Sequence, residues 1–389
     1  MVLYMIKLLT KNLRPGMITG QGIYHGNGSF LLTRGTRLTT AYIQKLQELD
    51  VQSVIVTALN PFLNISPPED IVQEKTRIKA IRNVFNVFKQ CKLTDNLNVS
   101  SLKLTTESII FDIIAKHSNL AQINDIRIHD DYTFSHSVNV AVLASMLGAL
   151  CNVTKQELVE LTLGALLHDI GKTKTPLEIL NDPLPLSDDE YNIIRQHPSD
   201  GAAILRRTKF YSTIPMYIAA QHHERYDGSG YPHKIGQEKI HKFARITAIA
   251  DVYDALTSNR PYKKAYRPDV AYQIMTKCSD GQFDVSLLTV FFNNVAIYPV
   301  GTVLKTKFGY AIVKKVESGW TRKPSIDIFA NDERIGFANP KTINLKDFPE
   351  NMIESVLDAA QLATIIELTG IDPESYLSHT ELSHTEKKT

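Results

Sequence analysis

Between residues 120 and about 290 the chain runs in long apolar-periodic segments with few strand signals, and seven histidines and aspartates punctuate that helical body. They are His136, the pair His168-Asp169, His197, the pair His222-His223, and Asp251. A fold built from such helices must gather these side chains inside or hold them in solvent. Gly164-Ala165-Leu166-Leu167 runs straight into His168-Asp169-Ile170-Gly171-Lys172, an apolar helix ending in two polar groups and a glycine. Burying His168 and Asp169 there is costly without a compensating partner, and a metal ion is one. Imidazoles with few carboxylates suit iron, manganese or zinc; an all-oxygen set would instead suit magnesium or calcium. Five histidines and two aspartates exceed what one ion coordinates, and suit two ions if a carboxylate bridges them. Asp169, adjoining His168 in the middle of the set, is the expected bridge. A second pair, His129-Asp130, lacks the apolar lead-in and is set aside.

The flanking segments differ in kind. Residues 1–60 read as a small α+β unit: Met17 to Ile23 and Ser29 to Leu32 as strands, Ala41 to Leu49 as a helix, Val51 to Val56 as a β-branched strand. Pro61, Pro67 and Pro68 mark a linker, and residues 61–119 complete it with amphipathic connecting helices, Ile78, Ile81, Val84, Phe85 and Phe88 recurring at helical spacing. Residues 120–292 form the helical body, where Ser187 and Glu190 make a capping box. In residues 293–370, Gly301 to Lys305, Tyr310 to Val316 and Ser325 to Phe329 read as strands of a β appendage, and Met352 to Leu368 as a final helix. Residues 371–389 read as a polar, mobile tail, whose His379 and His384 are not expected to be ligands.

Composition narrows the function. With 43 Lys and Arg against 41 Asp and Glu, the formal charge is +2, far from the basic footprint of a DNA or RNA binder. Cys91, Cys151 and Cys278 are scattered, which argues for a reducing compartment. The longest apolar run, Val138 to Cys151, is too short to span a bilayer, and the chain is expected to be cytoplasmic with no membrane span.

Two runs carry a resemblance. Leu167 to Lys172 is similar to the signature of HD-domain phosphohydrolases, and His222-His223-Glu224-Arg225-Tyr226-Asp227-Gly228-Ser229-Gly230-Tyr231-Pro232 resembles the H-H-E-x-x-D-G-x-G-Y-P element of the HD-GYP family. Tyr132 to Val140, His197-Pro198 and Ile249 to Thr257 resemble the family's flanking pieces, in the same order, over roughly residues 120–290. The implied fold is mainly α: a helical HD-domain bundle with a small α+β N-terminal unit and a small β appendage.

The resemblance further implies a cyclic di-GMP phosphodiesterase that yields pGpG and then GMP through a hydroxide activated by two metals. Metal ligation falls to His136, His168, Asp169, His197, His222, His223 and Asp251, with iron or manganese as the two divalent ions. The glutamate that serves a third ion in some members is Tyr132 here, so a two-metal site is expected. Asp169 and Lys172 are the catalytic residues, Lys172 near the scissile phosphate, while Arg260 and Lys263 hold substrate phosphates. Tyr231 either stacks on a guanine or anchors its loop, and Glu224 and Asp227 either orient ligating imidazoles or hold the loop. GGDEF-type signalling proteins, met through the GYP loop, and a second copy of the chain, met through helices around 70–120, are the expected partners. Two other readings remain: a silent cyclic-dinucleotide receptor, and a hydrolase of another nucleotide such as 3′,3′-cyclic GMP-AMP.

Overall fold

The computed structural model describes residues 3–24, 30–49, 51, 53–59, 71–94, 97–115, 132–180, 187–208, 212–258, 265–278, 281–358, 361 and 364. The chain divides into two compact units: residues 1–23, 30–69 and 296–389 form one, residues 24–29 and 70–295 the other. The fold is mainly helical, with short strands at the start and an antiparallel sheet near the end. Among the described residues, no helix is long and apolar enough to cross a membrane.

The first strands and helix are β1 (Leu3–Leu9), β2 (Ile18–Thr19), β3 (Ile23–Tyr24), β4 (Phe30–Leu32), α1 (Thr40–Glu48) and β5 (Ser53–Leu59). Strand β5 is central in an antiparallel sheet of order β1-β5-β2, with Leu3 opposite Leu59 and Ile18 opposite Thr57. Val54 and Val56 are buried while Ile55 and Thr57 are only partly so, the period of two expected of a half-buried strand. Thr39 caps α1 by accepting from the Tyr42 amide, and Ile43 and Leu46 bury its inner face.

The second unit holds α2 (Glu74–Thr94), α3 (Ser100–Ala115), α4 (Tyr132–Leu150), α5 (Lys155–Leu166), α6 (Leu177–Leu180), α7 (Asp188–Ile194), α8 (His197–Arg207), α9 (Ile214–Gln221), α10 (Lys242–Thr257), α11 (Pro268–Gln273) and α12 (Val285–Asn294). Helix α4 is the axis of this bundle. Its Val138, Val140, Ala141, Val142, Leu143, Ala144 and Leu147 are completely buried, and a helix apolar on every side belongs in the interior. Thr154 with Glu157 and Ser187 with Glu190 form reciprocal capping boxes that start α5 and α7.

The chain then enters a five-stranded antiparallel sheet of order β10-β6-β7-β8-β9, built from β6 (Val303–Thr306), β7 (Gly309–Lys315), β8 (Ser325–Ala330), β9 (Gly336–Asn344) and β10 (Ile353–Val356). The expected helix from Met352 to Leu368 is corrected at its start. Ile353, Ser355 and Val356 pair with Thr306, Lys305 and Leu304, so an available sheet edge overrides helical spacing in this β-branched stretch. Strands β1 and β9 extend beyond the expected set. The linker prolines, His129-Asp130, Arg260, Lys263, His379 and His384 lie outside the described residues.

Candidate metal centre

Helix ends deliver the chemistry to the middle of the bundle. His136 projects from the first turns of α4, His168 and Asp169 follow the C-terminus of α5, His197 opens α8, His222 and His223 follow α9, and Asp251 lies on α10. His136, His168, Asp169, His197, His222 and Asp251 are buried, and His223 is partly so. Gly171 makes one junction possible: a Cβ there would stand 1.9 Å from the His197 carbonyl oxygen and 2.6 Å from the Gly201 nitrogen. Only glycine lets the turn after Asp169 pack this closely on α8.

Asp169 sits at the meeting point. Its Oδ2 lies 3.3 Å from His168 Nε2 and 4.0 Å from His136 Nε2, while Oδ1 lies 3.3 Å from His197 Nε2 and 3.8 Å from His222 Nε2. Each carboxylate oxygen thus faces its own group of imidazoles. Asp251 closes the other flank, with Oδ1 3.1 Å from His136 Nε2 and Oδ2 4.0 Å from His223 Nδ1. Among the described residues, three groupings bring their donor atoms within 4.8 Å of one another: His136 with His168 and Asp251, His168 with Asp169 and His222, and His197 with His222 and His223. Lys172 Nζ donates to Asp169 Oδ2 at 2.6 Å and remains partly open to solvent.

The hydrogen bonds fix how these rings present themselves. His168 Nδ1 donates to the Ala165 carbonyl at 2.8 Å, His197 Nδ1 to Ile194 at 2.7 Å, and His222 Nδ1 to Ala219 at 3.0 Å. With Nδ1 protonated, a neutral ring offers a lone pair at Nε2. Burial drives His197 down to about 3, His223 to about 4 and His222 well below the usual range, so these rings are neutral at pH 7. Yet His197 Nε2 and His222 Nε2 stand 3.2 Å apart, two lone pairs facing with no proton to share. His168 Nε2, fully buried, has no well-aligned hydrogen-bond partner among the described residues; burial lowers its pKa, but Asp169 at 3.3 Å raises it overall. Burial raises Asp169 and Asp251, but Lys172 and His168 beside the first, and His136 beside the second, bring both well below the ordinary carboxylate range. Converging lone pairs and ionised carboxylates fit a divalent cation and leave unpaired polar atoms without one.

Tyr231 stacks on His223 at 4.8 Å between ring centroids, and the Arg195 guanidinium lies 4.5 Å from the centre of its ring. Buried Glu224 accepts from the backbone nitrogens of His233 at 2.6 Å and Ile235 at 3.2 Å, and Asp227 accepts from the Ser229 amide and hydroxyl. Both carboxylates hold the loop that carries Tyr231. One important residue carried no assigned role in the sequence. Asp254, one helical turn past Asp251 on the same face of α10, accepts from His136 Nδ1 at 2.7 Å. The i, i+3 spacing of the two aspartates was the signal available.

Helices that end in histidines around one shared carboxylate define an HD-domain protein, and residues 110–287 match the HD domain family. The chain carries an HD domain, and its sequence relatives are HD-GYP phosphodiesterases. It is 32% identical over 269 residues to the cyclic di-GMP phosphodiesterase PA4108 of Pseudomonas aeruginosa, covering 68% of this chain and 65% of that protein. It is 36% identical over 176 residues to a 3′3′-cGAMP-specific phosphodiesterase 1 of Vibrio cholerae, covering 45% of this chain and 41% of that protein. It therefore spans less than two thirds of the length of either relative. The solved structure of Bd1817, a HDG"Y"P protein from Bdellovibrio bacteriovorus, aligns with 74% of this chain and 97% of that chain at 18% identity and a TM-score of 0.45.

Proposed function

We propose that this chain is a metal-dependent phosphodiesterase that hydrolyses cyclic di-GMP to pGpG and then GMP. The observation that carries the reading is Asp169, whose two oxygens face separate groups of buried imidazoles. In this reading His136, His168 and Asp251 would hold one cation and His197, His222 and His223 the other, with Asp169 set between the two groups. The donor set fits iron or manganese. When bound, two such ions lower the pKa of water toward neutrality and offset the charge of phosphate oxygens.

The chain's own groups orient and complete the reaction. Backbone carbonyls and Asp254 lock the imidazole tautomers, so that the lone pairs already point inward. A water oxygen forms the new bond to phosphorus, releasing a proton to solvent from which Lys172 is later reprotonated, as the bond from phosphorus to the 3′ oxygen breaks. The departing oxygen gains the proton it needs from Lys172, whose ammonium reaches from Asp169 toward solvent. Tyr231, held between His223 and Arg195, is the aromatic ring proposed to stack on a guanine. Arg260 and Lys263 remain the proposed phosphate-holding residues.

The relative named as acting on 3′3′-cGAMP supports a second reading, in which the mixed dinucleotide is the better substrate. The deciding experiment mixes full-length manganese- or iron-loaded protein with each cyclic dinucleotide and resolves the products chromatographically. Faster turnover of cyclic di-GMP is expected. Equal or faster turnover of 3′3′-cGAMP would replace that substrate, and tight binding without products would replace the enzyme by a receptor.

A further inference from the structure

The polar groups around His136 continue outward. Asp254 Oδ2 receives His136 Nδ1 at 2.7 Å, and Asp254 Oδ1 receives Asn139 Nδ2 at 2.9 Å and Ser258 Oγ at 3.0 Å. Asn139 Oδ1 in turn receives Arg77 Nη1 at 2.6 Å. Every member is buried, Arg77 to 1% residual exposure. Arg77 belongs to α2, which precedes the residues 110–287 that match the HD domain family.

The order of donors and acceptors along this chain of bonds has one sense. A guanidinium only donates, so the atom of Asn139 facing Arg77 is its carbonyl oxygen. That choice turns the amide nitrogen toward Asp254, where it can only donate. Asp254, which already receives Asn139 and Ser258 at Oδ1, accepts a hydrogen bond from His136 Nδ1 at Oδ2. With Nδ1 committed to Asp254, Nε2, which lies 3.1 Å from Asp251 Oδ1, is the atom His136 would offer to a cation. Through two intervening residues, Asn139 and Asp254, Arg77 therefore bears on which nitrogen of His136 faces the candidate metal centre. A neutral residue at position 77 would free Asn139 to flip, and a flipped amide would set a carbonyl oxygen against the Asp254 carboxylate.

We propose that Arg77 is a positioning residue of the metal centre: a helix outside the family core sets the tautomer of His136 through Asn139 and Asp254, and thereby the affinity for a divalent cation. The proposal rests on reading His136, His168 and Asp251 as ligands. Outer partners of ligating histidines typically change metal affinity by about 10- to 100-fold when removed.

The test is calorimetric titration of chelator-stripped, full-length protein with manganese. Wild-type protein that takes up no manganese would overturn the metal reading itself. Given wild-type uptake, Arg77→Met is expected to weaken one manganese-binding step by about 10-fold or more and to leave the other step unchanged. Asp254→Asn should weaken the same step, and the double variant should bind no more weakly than Asp254→Asn alone, because both changes break one chain of bonds. Arg77→Lys, which keeps a charged donor, should restore most of the affinity. A guanidinium that only packs would lower thermal stability without moving the isotherm of the folded protein. An unchanged isotherm in Arg77→Met, or losses that add in the double variant, would overturn the proposal. If Arg77→Met does not fold, Asn139→Ala breaks the chain at its middle link and must weaken the same step; an unchanged isotherm there overturns the proposal equally.

Discussion

The Lys172 ammonium donates to Asp169 Oδ2 across 2.6 Å, joining a group that is 27% exposed to one that is almost wholly buried. It is one of the points where the centre meets solvent, the His223 side chain being equally exposed at 27%. Lys172→Met is expected to lower kcat on cyclic di-GMP by roughly 10²- to 10⁴-fold, the usual worth of a general acid, while manganese content stays at the wild-type level. Turnover within a few-fold of wild type would remove Lys172 from the chemistry.

Asp169→Asn keeps the shape of the shared carboxylate and removes its charge. Elemental analysis of the purified variant should find at least one fewer transition-metal ion per chain, and product formation should fall below detection. Full metal content would show that the imidazoles hold their ions without a joining group.

The buried histidines give the metal-free protein a defined acid response. His197 and His223 titrate near 3 and 4 in the folded chain, against about 6.5 when unfolded. Above pH 6.5 both states leave these rings neutral, and the shifts contribute nothing. As pH falls from 6.5 toward 4, the unfolded chain takes up protons that the folded chain refuses, so stability declines by roughly 1.4 kcal/mol per pH unit for each such ring. Depressed Asp169 and Asp251 act in the same sense at lower pH, where the unfolded carboxylates begin to protonate. Urea denaturation of chelator-stripped protein at pH 7.5, 6 and 5 reads this directly; a flat profile would show that the rings are solvated.

Gly171→Ala places a methyl group where the backbone of α8 already stands. The fold must separate the turn from α8, at a cost of about 2 kcal/mol or more, and His197 must move with it. Urea midpoints compare the two proteins. An unchanged midpoint would mean that the junction is looser than its distances indicate.

The convergence of seven donor side chains was legible because ligand chemistry demands particular residue types, and those types stood out against apolar helices. The network behind them was not. Arg77 reads as one more charged residue on an amphipathic helix, Asn139 as a polar interruption in α4, and Asp254 as the lesser aspartate of a pair; their roles exist only once α2, α4 and α10 meet. The same reason explains Ile353–Val356, where spacing suits a helix and the free edge of Val303–Thr306 makes a strand. Strand β1 was hidden likewise: Leu3–Leu9 has no polar alternation of its own and is defined by its register with Ser53–Leu59.

The inward-facing donors come from α4, α10 and the ends of α5, α8 and α9, and nowhere along the polypeptide do more than two of them adjoin. An extended chain therefore offers a passing cation at most two neighbouring donors of this set. The full set of seven exists only once α4, α5, α8, α9 and α10 have packed together.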